Sequence, residues 1–218
     1  MAQEIEIKLR ITDQKTLKNA LKRLGARPVG GGPGRVHEWN VLFDTPQGNL
    51  ANRGQLLRIR TETPEPSAKK GQQESRQRIL LTFKRPVVEA TSAAGTSQEN
   101  HRHKVREEFE IEVSDSTVLT RIFEGLGMRG WFRYEKRRTT FRLPVEFGWA
   151  KGLLIELDET PIGTFVELEG PPAAIDRAAQ ELGFVPRDYI LQNYLGLYVE
   201  ECRRLGQEPG DMLFAAKK

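Results

Sequence analysis

The sequence predicts an α+β protein built around a closed antiparallel β-barrel, with a charged interior and helices packed on the outside. At least six segments alternate aliphatic and charged residues with a period of two, which is typical of strands with two unlike faces. The charged faces carry matched clusters of both signs. Segments with helical spacing lie between the strands and are numerous enough to cover the aliphatic faces. At 218 residues we expect one domain, residues 1–218.

The first predicted strand covers residues 4–11. Its odd-numbered residues are aliphatic, and its other face carries Glu4, Glu6, Lys8 and Arg10. The aliphatic face therefore suits packing against a helix, and the charged face suits water or a polar lumen.

Seven further strands are predicted, most of them from the same alternation. They cover residues 36–44, 56–62, 79–85, 104–113, 132–143, 153–158 and 165–169. Their charged faces carry Arg58 and Arg60, Lys84, Glu108 and Glu110, Lys136 and Arg138, Glu156 and Asp158, and Glu167 and Glu169. The whole set therefore combines clustered cations with clustered carboxylates.

Helical spacing of apolar residues predicts four helices. Asp13 is expected to cap the first helix, which ends at Gly25. The other helices are predicted over residues 116–126, 171–182 and 187–205. Loops are predicted at residues 63–77 and 87–103 and at the glycine-rich run 30–34. That run lacks the Gly-Lys-Ser/Thr ending of a nucleotide P-loop, so we interpret it as a connector.

The charged faces of these strands allow two arrangements. In an open sheet each charged face meets water, and this interpretation suits any single strand. It suits the whole set less well because the clusters contain both signs and helices lie between the strands. A closed barrel turns the charged faces inward and removes exposed strand edges. The sequence therefore favours a barrel with a polar lumen.

Such a lumen predicts a site for a chain of phosphates, because arginine and lysine bind phosphate oxygens through charge-assisted hydrogen bonds. The candidate cations are Arg58, Arg60, Lys84, Lys136 and Arg138. The lumen carboxylates would repel one another, and carboxylate oxygens favour Mg²⁺ or Mn²⁺ over zinc. The candidate metal ligands are Glu4, Glu6, Glu108, Glu110, Asp158, Glu167 and Glu169.

Composition narrows the class of protein. The formal charge is +4 and the pI is near 9.2, but the basic residues are spread along the chain, which does not favour a nucleic-acid partner. The single cysteine, Cys202, has no partner for an internal disulfide. No secretory apolar segment or long apolar run is present, so we expect a cytoplasmic protein without a membrane partner.

The N-terminal Glu-x-Glu-x-Lys motif, formed by Glu4, Glu6 and Lys8, resembles the motif of the CYTH superfamily, also called the triphosphate tunnel metalloenzymes. Similar segments follow in the order seen in that family, at residues 57–60, 82–84, 106–110, 136–138, 158 and 163–169. The resemblance covers nearly the whole chain. It implies an eight-stranded antiparallel tunnel and action on a triphosphate with Mg²⁺ or Mn²⁺.

The resemblance implies a triphosphatase acting on inorganic tripolyphosphate or on an organic triphosphate, such as thiamine or nucleoside triphosphate. The residues along the triphosphate would then be Lys8, Arg58, Arg60, Lys84, Lys136 and Arg138. The catalytic candidates are Glu4, Glu6, Lys8, Glu108, Glu110 and Asp158. A general-base role for Lys8 requires a lowered pKa, whereas the neighbouring glutamates are expected to raise that pKa. We therefore expect Lys8 to bind phosphate.

The sequence leaves two alternative functions open. One is a class IV adenylyl cyclase, which converts ATP to cyclic AMP and pyrophosphate in the same tunnel, although no base-recognition motif is visible. The other is a non-catalytic module that binds polyphosphate or nucleotides. Under each of these functions we expect a monomer or a homodimer. Arg187, beside Tyr189, is a candidate contact of the terminal phosphate or else lies in an ordinary helix start capped by Asp188.

Overall fold

The computed structural model describes residues 2–29, 34–65, 76–87 and 102–215. Residues 30–33 of the glycine-rich run and most of each predicted long loop lie outside the described residues. The strands are β1 Ala2–Ile11, β2 Arg27–Pro28, β3 Arg35–Asp44, β4 Leu56–Pro64, β5 Arg78–Pro86, β6 Lys104–Val113, β7 Arg129–Arg142, β8 Leu154–Thr160 and β9 Gly163–Glu169. The helices are α1 Gln14–Arg23, α2 Ser116–Gly125, α3 Pro172–Glu181 and α4 Tyr194–Leu205.

Eight of the described strands close into an antiparallel barrel. The hydrogen-bonded order is β3-β4-β5-β6-β1-β9-β8, and β7 pairs with both β8 and β3 to complete the ring. The two-residue strand β2 adds to the outer edge of β7. The predicted eight-stranded closed barrel is confirmed, and the predicted bounds of β6 agree with the structure at both ends.

Helices cover much of the barrel's outer surface, as predicted. An apolar core joins α1 and α3 to the outward faces of β1, β8 and β9. Helix α2 packs through Phe123 on Phe43 and Ile59 in a smaller cluster. The cover is less complete than expected, because Phe109 and Ile111 on the outer face of β6 are 44% and 61% exposed.

The predicted start of the last helix is wrong. Residues 186–188 form a single 3₁₀ turn, and α4 begins at Tyr194, where the Asn193 side chain accepts a hydrogen bond from Gly196 N at 2.8 Å. Just before α4, the backbone pairs with a strand instead of forming a helix. Ile190 exchanges two hydrogen bonds with Lys8 of β1, at 2.8 and 3.0 Å. The chain therefore stays extended at Ile190 to complete the barrel wall.

An apolar plug closes one end of the barrel. Its buried members are Leu42, Phe132, Tyr134, Phe165, Tyr194, Leu197 and Met212. The strand residues among them lie near the C-terminus of β3 and the N-termini of β7 and β9, which meet at one end of an antiparallel barrel. Met212 also pairs with β7 at Tyr134.

None of the helices in the described part of the chain has the length and apolar character needed to cross a membrane.

Candidate active site

The barrel encloses a cavity of about 390 Å³, within the usual range of small-molecule sites. Its lining residues are Glu4, Glu6, Lys8, Leu56, Arg58, Arg60, Arg78, Lys84, Lys104, Glu108, Glu110, Tyr134, Lys136, Arg138, Leu154, Glu156, Glu167, Glu169, Asn193 and Tyr194. Arg78 is also exposed, so the cavity reaches solvent on its side. Eight lining side chains are cations and seven are carboxylates, so their charges nearly balance.

The alternation of each strand brings the predicted cations together in this cavity. Arg58, Lys136 and Arg138 are each at most 9% exposed, and Lys8 is 2% exposed. Side chains two residues apart on a strand share a face, so each charged strand contributes two or three groups to the lumen. All five cations predicted from the strand faces line the cavity.

Arg138 is the most heavily paired cation of the lumen. Its guanidinium makes two hydrogen bonds to Asp158, each 2.7 Å long, and also contacts Glu156 and Glu167. Lys136 donates to the same Asp158 carboxylate at 3.0 Å. Asp158 is completely buried and does not line the cavity. It therefore lies behind the two cations and orients them.

Lys8 is held by carboxylates, as expected, but its direct partner is Glu167. The ammonium donates to Glu167 Oε1 at 2.6 Å. Burial alone would lower the pKa of Lys8, but the charges of Glu167 and Glu6 outweigh burial and raise the pKa above its ordinary value. Lys8 is therefore a permanent cation, which confirms the predicted direction of its pKa shift.

Glu38 of β3 was missed by the sequence analysis. Its carboxylate is fully buried, with Lys136 and Arg138 at 3.5 Å and Arg60 at 3.8 Å. Burial alone would raise the pKa of Glu38, but Lys136, Arg138 and Arg60 lower it to about 2. The available signal was its place in the predicted strand 36–44, on the same face as the polar residue Asn40, which is also fully buried. The carboxylate balances cations from β4 and β7.

Carboxylates outnumber their cations near Glu4, Glu156 and Glu169. Burial, with Glu156 and Glu4 adding to it, raises the pKa of Glu169 to about 8. Burial also raises the pKa of Glu156 to about 7, with Asp158 and Glu167 contributing. One oxygen of Glu4, Oε2, is buried without a hydrogen-bond partner. This part of the lumen therefore favours additional positive charge.

The predicted repulsion between carboxylates is largely relieved by ion pairs. Glu4 pairs with Lys84, and Glu6 pairs with Lys104 at 2.5 Å. Among the described residues, no three acidic, histidine or cysteine side chains form a group that could hold a metal ion. The donor set still fits Mg²⁺ or Mn²⁺ chemically, because it consists of carboxylates and includes the unpaired Glu4 oxygen. The ion pairs would have to open to free these donors.

Tyr194 is a second residue that the sequence analysis missed. It is the first residue of α4, yet its ring is 7% exposed and lines the cavity. Its hydroxyl donates to Asp158 Oδ2 at 2.6 Å. Period-two alternation cannot identify such a residue, because it enters the barrel from outside the strands.

Three other predicted positions lie away from the cavity. Arg187 is exposed and is not among the lining residues, and the Tyr189 hydroxyl donates to Asp176 of α3 at 3.0 Å. Arg10, although in phase with Lys8, is also exposed, and its guanidinium lies over the Phe165 ring. Arg187 lies in the 3₁₀ turn at residues 186–188, outside the barrel and before the chain pairs with β1 at Ile190.

A closed antiparallel barrel lined by buried ions of both signs defines a tunnel-type β-barrel protein. Residues 2–184 match the CYTH domain, and the chain belongs to that family. Members of the CYTH superfamily are enzymes that act on triphosphates. The resemblance found in the sequence is thereby confirmed. None of the curated proteins matches the chain in sequence.

Solved structures share this fold. A candidate adenylate cyclase of Vibrio parahaemolyticus has 19% identity and a TM-score of 0.63, covering 88% of this chain and 94% of its own. The PH1819 protein of Pyrococcus horikoshii has 20% identity and a TM-score of 0.64, covering 91% and 99%. The Hippeastrum protein HpAC1, a candidate adenylyl cyclase described as having a dominant triphosphatase activity, has 21% identity and a TM-score of 0.50, covering 94% and 97%. At these identities the likeness concerns the fold.

Proposed function

We propose that this protein is a divalent-metal-dependent triphosphatase that hydrolyses a linear triphosphate inside the barrel. The observation that carries the proposal is the cavity lined by eight cationic side chains, four of which are buried. A chain of phosphates presents anionic oxygens along its whole length, and cations on several strands can bind them together.

The cations that bind phosphate are Lys8, Arg58, Arg60, Lys84, Lys136 and Arg138 in this proposal. Arg58 is already oriented by hydrogen bonds to the Tyr134 hydroxyl at 3.1 Å and to Thr82 Oγ1 at 3.2 Å. Arg138 is oriented by Asp158. Phosphoryl transfer depends mainly on positioning and charge stabilisation, so pre-oriented cations contribute directly to it.

The positive and negative charges of the cavity lining nearly balance, so a bound triphosphate adds several negative charges that the lining does not offset. Mg²⁺ or Mn²⁺ would offset part of this charge. Glu4, Glu156 and Glu169 are the best candidates to hold it, with Glu6 and Glu108 beside them. When bound, the ion neutralises phosphate oxygens and favours attack by water. Glu110, Glu167 and Asp158 are less suited than Glu4, since each accepts hydrogen bonds from at least two side chains, whereas one oxygen of Glu4 has no hydrogen-bond partner.

Inorganic tripolyphosphate is the favoured substrate within this class. In the described part of the lining only Leu56 and Leu154 are aliphatic. Both aromatic rings of the lining already have partners, since Tyr134 stacks on Phe132 and Tyr194 lies against Lys8 and Lys136. A base or thiazole ring would need apolar or stacking contacts, which these residues do not supply. For the same reason the cavity favours hydrolysis over the cyclase reaction, which must also position adenosine.

The decisive experiment compares two products with Mg²⁺ or Mn²⁺ present. We expect orthophosphate release from tripolyphosphate to exceed cyclic AMP formation from ATP. Cyclic AMP as the main product would replace the proposal by the cyclase, and binding without either product would indicate a binding module.

Adjacent glutamates on β6 provide a matched control for this assay. Glu108 faces the lumen, whereas Glu107 pairs with Arg85 on the outer side of the barrel. We expect Glu108→Gln to lower kcat and Glu107→Gln to leave it unchanged. Equal activities would mean that the reaction does not take place in the barrel.

A further inference from the structure

Two of the residues that line the lumen, Asn193 and Tyr194, lie outside the CYTH match. The matched region ends at residue 184, whereas Tyr194 begins α4 and lines the cavity. We propose that Tyr194 is a positioning residue that holds Asp158, and through it Lys136 and Arg138, in the arrangement that binds the phosphate chain. This inference rests on the proposed function, because it concerns the same site.

The hydroxyl of Tyr194 completes the surroundings of Asp158. Asp158 accepts two hydrogen bonds from Arg138, one from Lys136 and one from Tyr194, and it is completely buried. Tyr194 is the only neutral donor among these three side chains. Burial and the charge of Asp158 raise the pKa of Tyr194 well above its ordinary value, so the hydroxyl keeps its proton and donates.

The ring of Tyr194 also limits where two ammonium groups can lie. Lys8 Nζ is 4.7 Å from the ring centroid, and Lys136 Nζ is 5.3 Å from it. Cations are attracted to the face of an aromatic ring at such distances. One side chain therefore contacts Lys8 and Lys136 and orients Arg138 through the shared carboxylate.

The surrounding backbone fixes Tyr194 in place. Ile190, four residues earlier, pairs with Lys8, and Met212, beyond α4, pairs with β7 at Tyr134. Asn193 caps the helix immediately before Tyr194. The ring packs edge-on against Phe165, with the centroids 5.6 Å apart. The side chain is thus held on both sides by contacts between α4 and the barrel.

Tyr194→Phe tests the hydroxyl while keeping the ring and the plug. We expect kcat/KM for tripolyphosphate to fall by about tenfold, since a hydrogen bond to a buried charged group is lost. Tripolyphosphate binding without divalent metal should weaken as well. Tyr198→Phe is the matched control, because its hydroxyl donates to Asp211 O at 3.2 Å and does not line the cavity. It should leave kcat/KM unchanged even where thermal stability falls.

A double-mutant cycle separates positioning from a structural role. If the hydroxyl acts through Asp158, adding Tyr194→Phe to Asp158→Asn should cause little further loss of kcat/KM. Additive losses, or a Tyr194→Phe protein with wild-type kcat/KM and binding, would overturn the inference. Should Tyr194→Phe fail to fold, Tyr194→Leu keeps an apolar side chain in the plug without a donor, and wild-type kcat/KM in that variant would overturn the inference equally.

The outcomes also separate this inference from the proposed function. A wild-type protein that releases no phosphate contradicts the function. The metal-free binding comparison between wild type and Tyr194→Phe still tests the positioning role in that case. A wild-type protein that hydrolyses tripolyphosphate, with an unaffected Tyr194→Phe variant, contradicts the positioning role alone.

Discussion

Arg138 and Asp158 form a buried two-bond ion pair across β7 and β8, with Nε and Nη2 of the arginine each 2.7 Å from a carboxylate oxygen. The planar guanidinium matches the two oxygens, and this pairing fixes its orientation in the lumen. The remaining nitrogen, Nη1, faces Glu156. Arg138 thus lies between a fixed buried partner and the cavity.

Arg138→Lys should lower kcat/KM for tripolyphosphate by about 100-fold, since an ammonium cannot reproduce the two-bond geometry. Arg137→Lys is the matched control, because Arg137 is the adjacent residue and pairs with Glu65 on the outer face. Steady-state phosphate release measures both. Similar losses in the two variants would contradict a specific role for Arg138.

Glu38→Gln should lower the free energy of unfolding by about 3 kcal/mol, because Lys136, Arg138 and Arg60 lose a buried counter-charge. The melting temperature should fall by about 6–12 °C. Glu124→Gln on the exposed side of α2 is the control. Because the pKa of Glu38 is lowered to about 2, its stabilisation is present above its ordinary pKa of 4.5 and is lost as pH falls towards 2. Wild type and Glu38→Gln should therefore converge in stability in acid.

Glu169→Gln should stabilise the metal-free protein at alkaline pH. The folded protein holds the Glu169 proton up to about pH 8, whereas the unfolded chain releases it near 4.5, so stability falls as pH rises between these values. Because Glu169 is partly exposed, the effect is reduced. Relative to wild type, the free energy of unfolding of the variant should be about 1–2 kcal/mol higher at pH 8.5 than at pH 5. Thermal unfolding with a chelator present measures this, and an unchanged pH dependence in the variant would refute it.

Mg²⁺ should raise the melting temperature of the wild-type protein, because a ligand that binds only the folded state stabilises it. The increase should be smaller in Glu4→Gln, which removes one of the proposed ligands, and unaffected in Glu107→Gln on the outer face. Chelation of the metal should abolish phosphate release from tripolyphosphate. Turnover that persists in excess chelator would contradict the metal requirement.

The strands and the direction of their side chains could be predicted from the alternating residues alone. Alternation with a period of two is a local property of an extended chain, so Lys8, Arg58, Lys84 and Arg138 could be assigned to the lumen before their neighbours were known. The same local logic gave the Asp13 cap, which accepts hydrogen bonds from Lys15 and Thr16.

Which of these charges meet depends on how the strands pair in three dimensions. Lys8 pairs with Glu167 of β9, 159 residues away, and Glu38 lies among cations of two other strands. Tyr194 enters the lumen from a helix, whereas Arg187, which the sequence offered only as one possible phosphate contact, lies outside. The physical reason is that barrel contacts depend on strand register and closure and on how α4 packs over one end, and no local pattern of residues specifies these.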